Sequence, residues 1–238
     1  MAGPRTRPVD RRRPPGRQRA SHSLDAVLTA AVELLDEAGE SALTFRALAA
    51  RLGTGVGSIY WYVSSKDDLL DRATDHVLAG VLTAVERQAG SDDPIADLRV
   101  MAVTLFDAIV DRPWLAAYFM RNTDVQGNSL LLYEKLGQQT LRLDLTPKQR
   151  FHAVSAIVGV VVGTAADLGQ EPPEEVLSGA VDRDEFLERY AATWRAADPD
   201  QFPFVRGIAD EFAGHDDREQ FLAALDLTLA GLRLQAGA

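Results

Sequence analysis

Five side chains between positions 44 and 66 are of the types that bind phosphate groups and the edges of nucleic-acid bases. The hydroxyls of Thr44, Ser58 and Tyr60 can donate hydrogen bonds to phosphate oxygens, and Arg46 and Lys66 are positive at neutral pH. An arginine also matches the two acceptors on the major-groove edge of guanine. This set indicates recognition of a nucleic acid rather than the making or breaking of a bond.

Two short helices are expected to position these residues. Thr44 is a typical N-cap for a helix that ends at Gly53, and a third helix is expected over about Val56 to Tyr62. The inward face of the helix after Thr44 is apolar, with Leu48, Ala49 and Leu52. Two short helices joined by a glycine turn form a helix-turn-helix, whose second helix enters the major groove of duplex DNA.

The third helix and the residues after it supply the expected contacts. Val56, Gly57 and Ser58 begin that helix on its outward side, where base edges are met. The aromatic run Tyr60, Trp61 and Tyr62 is too dense to be wholly buried. We therefore expect one or two of these rings to face the DNA.

A longer pattern contains all of these residues. From Thr44 the chain reads T-x-R-x-L-A-x-x-L-G and then, after five residues, I-Y-W-Y-V-x-x-K-x-x-L-L. This segment resembles the DNA-binding domain of the TetR family of transcriptional regulators, closest to its tetracycline-repressor branch, over about residues 24–70. The resemblance implies a homodimer with an N-terminal helix-turn-helix and a C-terminal domain that binds an effector and dimerises. By position it implies DNA contacts from Thr44, Arg46, Val56, Gly57, Ser58, Tyr60, Tyr62 and Lys66, to which the aromatic run adds Trp61.

The turn departs from the family pattern at two positions. Thr54 and Gly55 stand where the family usually has an apolar residue and a serine-like cap. Gly55 and Gly57 each weaken the third helix by up to about 1 kcal/mol relative to alanine. We therefore expect a recognition helix that is poorly ordered without DNA, with shape and phosphate contacts carrying much of the specificity.

The organisation of the 238-residue chain follows from its composition. It has no cysteine and a net charge of −10, but its first twenty residues carry seven arginines and a single aspartate. Residues 1–21 are therefore expected to be a disordered basic arm, which leaves open whether the arm contacts DNA. The helix-turn-helix domain is expected over residues 22–68, and the effector-binding and dimerisation domain over residues 69–238. Helical periodicity throughout predicts an all-α fold of about nine or ten helices.

Two sets of residues in the C-terminal domain are candidates for binding. Helices expected over 147–168 and 218–235 would form a four-helix bundle between two copies, through Ala153, Ile157, Val160, Val161, Thr164, Phe221, Leu225, Thr228, Leu229 and Leu232. An apolar pocket with a few polar groups is expected for a small effector. Its candidate lining is Phe106, Trp114, Tyr118, Arg121, Asn122, Tyr133, Gln139, His152 and Trp194.

Other kinds of site are disfavoured. The glycines between Gly53 and Gly57 follow a helix and lack a P-loop lysine. The aspartates at positions 92, 93 and 97 are typical of a helix cap, and the four histidines share no ligand spacing, so neither a metal nor a cofactor is expected. The N-terminus lacks a secretory signal and residues 153–166 are too short to span a membrane, so a soluble cytoplasmic protein is expected.

Three functions remain open at this stage. The favoured one is a ligand-responsive repressor that binds a palindromic operator as a homodimer. The alternative is a DNA-binding activator or architectural protein without small-molecule gating. An enzyme is the third, and it is disfavoured because the chain shows no nucleophile or acid–base constellation.

Overall fold

The computed structural model describes residues 22–119, 121, 126–170 and 172–237. Within these residues the chain forms helices and no strand, which confirms the all-α prediction. The thirteen helices are α1 Leu24–Ala42, α2 Phe45–Arg51, α3 Val56–Ile59, α4 Lys66–Gln88, α5 Pro94–Val110, α6 Trp114–Phe119, α7 Gly127–Leu141, α8 Pro147–Leu168, α9 Glu174–Leu177, α10 Arg183–Ala196, α11 Pro203–Gly207, α12 Ala209–Ala213 and α13 Asp217–Gln235. Three of them, α9, α11 and α12, are short segments of four or five residues. The basic arm of residues 1–21 lies outside the described residues.

Local sequence signals explain where the main helices begin. The side chains of Ser23, Thr44 and Ser65 each accept a hydrogen bond from a backbone N–H in the first turn of the helix that follows. Asp93 caps α5 in the same way, with proline at the first helical position. Thr146 and Gln149 form a reciprocal capping box at the start of α8.

Two apolar cores share α4. The N-terminal core joins α1, α2, α3 and the first turns of α4, and it includes Leu48, Ile59 and Leu69 with no exposed surface. The second core joins the rest of α4 to α5, α7, α8 and α13. At its centre the rings of Phe106 and Phe221 stack with centroids 3.7 Å apart. Since α4 is one continuous helix, any tilt of its second half moves the helices that precede it.

The packing of α8 against α13 buries most of the residues expected at the dimer face. Six of the ten predicted interface residues, Ile157, Val161, Phe221, Leu225, Leu229 and Leu232, are buried in the second core. They pack on one another and on α5 within the chain, which leaves their side chains with almost no exposed surface. Ala153, Val160, Thr164 and Thr228 are half-buried at the edge of this contact. Both helices carry apolar residues on a second face as well, and periodicity alone does not say which of the two faces turns inward.

The outward faces of α8 and α13 each include several small or apolar residues. On α8 the exposed positions include Ala156, Gly159, Gly163 and Ala166, and on α13 they include Ala223, Leu227, Ala230 and Leu234. Leu227 is 76% exposed, which is unusual for a leucine in the middle of a helix.

The length and composition of α8 are those of a helix that could cross a bilayer, and among the described residues no other helix meets that test. However, its inward face packs in the protomer core through Val154, Ile157 and Val161. For this reason α8 is not a clear membrane span.

Candidate nucleic-acid interface

The helix-turn-helix is built by local signals on either side of Gly53. Thr44 Oγ1 accepts the backbone N–H of Ala47 at 3.1 Å and starts α2. Gly53 ends α2 with a φ of 63°, a left-handed conformation that suits glycine. Leu48 on α2 and Ile59 on α3 are fully buried in the N-terminal core, which holds the two helices together.

The α2–α3 surface is apolar and aromatic where it is most exposed. Trp61 is 90% exposed and Tyr60 is 60% exposed. The rings of Tyr60 and Phe45 meet edge to face, with their centroids 4.8 Å apart. Arg46 is also exposed, one turn into α2. A tryptophan so open to water is rare in a folded domain and is typical of a contact surface.

The third helix is shorter than expected but presents its first residues outward. It spans Val56–Ile59, and Gly55 precedes it as an N-cap with no side-chain hydrogen bond. Val56 and Gly57 are exposed, whereas Ser58 is half-buried. The structure therefore brings the predicted base-contacting residues together beside Tyr60 at one exposed edge.

Tyr62 and Lys66 already have partners within the chain. The Tyr62 hydroxyl donates a hydrogen bond to the backbone oxygen of His22. Lys66 Nζ donates to the backbone oxygen of Glu40 at 2.8 Å and lies 3.3 Å from Glu40 Oε1. The Lys66 side chain remains 41% exposed, and its ammonium has three N–H donors, so one is free to meet an anion.

Three of the predicted effector-pocket residues lie together at the junction of the two cores. Trp114 Nε1 donates to Asp36 Oδ1 at 2.7 Å, and the Tyr118 hydroxyl donates to Glu40 Oε2. Arg121 Nε lies 3.3 Å from the buried carboxylate of Asp71 on α4. These side chains attach α6 and Arg121 to α1 and α4.

The other predicted pocket residues do not converge. Phe106 fills the second core against Phe221, and Trp194 packs on Phe212 with ring centroids 4.1 Å apart in the α10–α12 segment. The Tyr133 hydroxyl is 3.4 Å from Ser155 Oγ on the outer side of α7 and α8. His152 is exposed on α8, and Gln139 accepts a hydrogen bond from Arg142 at 2.7 Å. Asn122 lies outside the described residues.

The sequence reading missed Asp36 and Glu40, the two carboxylates of α1 that accept these donors. Asp36 lies before the break in α1 at Gly39, whose φ of 70° interrupts the helix, and Glu40 lies just after it. Their only sequence signal is a pair of acids flanking a glycine near a helix end, which is common on solvated surfaces.

A cavity of about 430 Å³ lies between the DNA-binding helices and the body. Its walls come from α1, α4 and α5 through Val32, Val77, Gly80, Thr104 and Ala108, and its lining also includes charged residues. A second cavity, of about 550 Å³, lies between α5 and α13. Among the described residues there is no cluster of His, Asp or Glu side chains suited to a metal ion.

Comparison with known proteins agrees with this architecture. Residues 27–73 match the model for bacterial regulatory proteins of the tetR family, and residues 88–236 match the tetracyclin repressor-like C-terminal domain. The HTH-type transcriptional repressor DrrR1 of Streptomyces coeruleorubidus is 26% identical over 231 residues, covering 94% of this chain and 82% of that protein. Other relatives match over less of their length. For example, a regulator from Saccharopolyspora erythraea is 42% identical over 93 residues, and the match covers 38% of that protein.

Two solved structures have the same fold. The transcriptional regulator SCO7222 from Streptomyces coelicolor is 38% identical with a TM-score of 0.77, and the match covers 90% of this chain and 99% of that one. ActR from Streptomyces coelicolor in complex with actinorhodin is 23% identical with a TM-score of 0.76, over 92% of this chain and 98% of that one. The two domain matches and the 38% identity over nearly the whole chain lead to one conclusion: the chain belongs to the TetR family of bacterial regulatory proteins.

Proposed function

We propose that this TetR-family chain is a ligand-responsive repressor that binds a palindromic operator as a homodimer. The observation that carries the DNA-binding part is the α2–α3 surface, where Trp61 is 90% exposed beside Tyr60 and the outward residues of α3. An exposed aromatic edge in a unit that also carries the exposed cations Arg46 and Lys66 suits a groove lined by phosphates. Its place of action is the cytoplasm, where chromosomal DNA is accessible in bacteria.

The proposed contacts are divided by chemistry. Thr44, Arg46 and Lys66 would meet phosphates, and Val56, Gly57 and Ser58 would face the base edges. Tyr60 and Trp61 would contact sugars or thymine methyl groups, and Tyr62 would orient the surface through its hydrogen bond to His22. The test is selection of duplexes from a random-sequence library with the full chain, followed by binding titrations. Recovery of no enriched sequence would contradict the proposal.

Dimerisation is proposed through the outward faces of α8 and α13. Gly159 and Gly163 on α8 let a second helix approach closely, and Leu227 and Leu234 on α13 supply apolar surface. A two-fold dimer places two recognition helices on one side of the DNA and requires half-sites about one or more helical turns apart. Enriched sequences without inverted symmetry would contradict the two-fold arrangement.

An effector of small, largely apolar character is proposed because ActR, a protein of the same fold, is seen in complex with actinorhodin. In the present chain the body and the DNA-binding helices are joined through Trp114, Tyr118 and Arg121. A ligand that displaces α6 would therefore move α1 and α4 directly. The alternative, a regulator without gating, predicts that no compound from a broad panel of apolar metabolites and antibiotics changes DNA binding. Fluorescence of Trp114 and Trp194 in a Trp61→Phe background would report binding independently of DNA.

A further inference from the structure

Glu40 stands between α6 and the first residue of α4. Its two carboxylate oxygens have different partners: Oε2 accepts the Tyr118 hydroxyl, and Oε1 lies 3.3 Å from Lys66 Nζ. Its backbone oxygen also accepts from Lys66 Nζ, at 2.8 Å. Tyr118 is 78 residues from Glu40 in sequence and Lys66 is 26 residues away, so three separate parts of the chain meet at one side chain.

The break in α1 places Glu40 at this meeting point. Gly39 adopts a φ of 70° and a ψ of −174°, so the chain leaves the axis of α1 before Glu40. Asp36, on the preceding turn, accepts Trp114 Nε1 and lies 3.2 Å from Arg112 Nε. The α6 region is thus held to α1 by two carboxylates, of which only Glu40 also reaches Lys66.

The charge states of this cluster follow from its contacts. The hydrogen bond from Tyr118 lowers the pKa of Glu40, and the hydrogen bond from Lys66 lowers it further. Burial raises the pKa of Tyr118, and its bond to the Glu40 carboxylate raises it again. At neutral pH the carboxylate is therefore negative and the phenol is neutral, so the phenol is the donor.

We propose that Glu40 is a positioning residue that sets how much of the Lys66 charge is available to DNA, and that Tyr118 controls Glu40 by holding one of its carboxylate oxygens. This inference rests on the proposed contact between Lys66 and a DNA phosphate. While Tyr118 holds Oε2, the ammonium shares only Oε1 and keeps a donor for the phosphate. When Tyr118 withdraws, both oxygens compete for the ammonium, and its attraction for phosphate falls.

The arrangement connects α6 to DNA affinity without requiring a change in α3. An effector that displaces α6 would remove the Tyr118 hydroxyl from Glu40 and strengthen the Glu40–Lys66 ion pair. Electrostatic attraction at short range is strong enough that one such pair changes the phosphate affinity of a single lysine. DNA would then be released partly by loss of one cationic contact in each protomer.

Two substitutions with opposite expected effects test the proposal. Glu40→Gln keeps an oxygen that can accept from Tyr118 but removes the negative charge near Lys66. Tyr118→Phe keeps the ring in the core but removes the donor. With a duplex selected by the wild-type chain from a random library, Glu40→Gln should tighten binding about threefold or more at low salt, and Tyr118→Phe should weaken it by a similar factor. Tyr190→Phe, the same chemical change at an exposed position on α10, should leave binding unaltered.

The decisive measurement repeats both substitutions in a Lys66→Met background, which keeps the aliphatic stem and removes the charge. If Glu40 and Tyr118 act through Lys66, both effects on affinity disappear there, as a double-mutant cycle requires. Thermal unfolding of each variant by circular dichroism checks that the fold is retained.

Several outcomes would overturn the proposal. Shifts in the same direction for Glu40→Gln and Tyr118→Phe would show that the contact only supports the fold. Shifts that persist with Lys66→Met would show that they do not act through Lys66. Lys66→Met could leave the salt dependence of DNA binding unchanged while other substitutions on the α2–α3 surface weaken DNA binding. In that case the DNA-binding function is supported and this inference fails. If no duplex is selected at all, the proposed DNA-binding function fails first.

Discussion

The indole N–H of Trp114 donates a hydrogen bond to Asp36 Oδ1 across 2.7 Å, between positions 78 apart in the sequence. This bond joins α6 of the body to α1 of the helix-turn-helix unit. Because α4 also runs continuously from one unit into the other, the two are connected at two places. A rearrangement of the body therefore reaches the DNA-binding helices through α1 as well as through α4.

Trp114→Phe should weaken the attachment of α6 to α1. The phenyl ring retains most of the packing, but Asp36 loses its hydrogen bond, so we expect a loss of about 1 kcal/mol in the free energy of unfolding. Urea denaturation measures the change. Trp194→Phe is the matched control, since Trp194 packs on Phe212 in the α10–α12 segment. A broader unfolding transition in Trp114→Phe alone would indicate partial uncoupling of the two units.

Trp61→Ala should weaken DNA binding and leave stability unchanged. The side chain is 90% exposed, so its removal costs the free protein little, whereas burying it against DNA is worth about 1.5–3 kcal/mol. Leu48→Ala provides the contrast, because Leu48 is fully buried and its truncation should cost about 2–5 kcal/mol of stability. Paired titration and thermal unfolding distinguish the two. An unaltered dissociation constant for Trp61→Ala would show that Trp61 does not contribute to DNA binding.

Asp97 should make stability depend on pH in the acid range. Burial raises its pKa, but hydrogen bonds from the backbone N–H groups of Gly90 and Ser91, together with Arg142, lower it below the usual value overall. A group whose pKa is lower in the folded state stabilises the fold above its unfolded pKa of about 4, and that contribution is lost as the pH falls through the folded value. Asp97→Asn should cost about 1–3 kcal/mol at pH 7 and flatten the unfolding free energy between about pH 5 and 2.

Substitutions on the two faces of α8 and α13 should have different consequences. Leu227→Glu changes a residue that is 76% exposed, so it should give a folded monomer, with sedimentation at the 25.9 kDa chain mass instead of about twice that value. Val161→Glu changes a residue with no exposed surface in the protomer core, so it should unfold the chain. If Val161→Glu gave monomers with a native circular dichroism spectrum, the dimer interface would include the face of α8 that was first expected from periodicity.

Gly57→Ala should stabilise α3. A Cβ at this position would meet no atom within 4 Å, and alanine gains up to about 1 kcal/mol over glycine in a helix. Gly53→Ala is the contrast, because its φ of 63° strains any residue with a Cβ. Hydrogen exchange of the α3 amides should slow in Gly57→Ala. If this variant bound DNA more weakly despite a better ordered helix, the result would indicate that DNA lies close to the backbone at Gly57.

Much of the fold could be predicted from the sequence because its signals are local. Thr44, Ser65, Asp93 and Thr146 cap helices through hydrogen bonds to backbone N–H groups two or three residues away, and Gly53 adopts the positive φ that its lack of Cβ permits. The spacing of apolar residues likewise predicted an all-α chain with a helix-turn-helix. The motif from Thr44 to Leu70 was enough to suggest the family that the whole chain then matched.

The tertiary structure decided which groups meet across long separations. The pairing of Glu40 with Tyr118 and Lys66 depends on how α6 and α4 pack against α1. The positions of charged residues in the sequence do not specify which of them will pair. The inward face of α8 was likewise undecided, because apolar residues occupy more than one side of that helix and only its packing against α5 and α13 buries Val161 rather than Gly159. Local hydrogen bonds and periodicity act over a few residues, whereas these contacts are set by the competition of whole surfaces for burial.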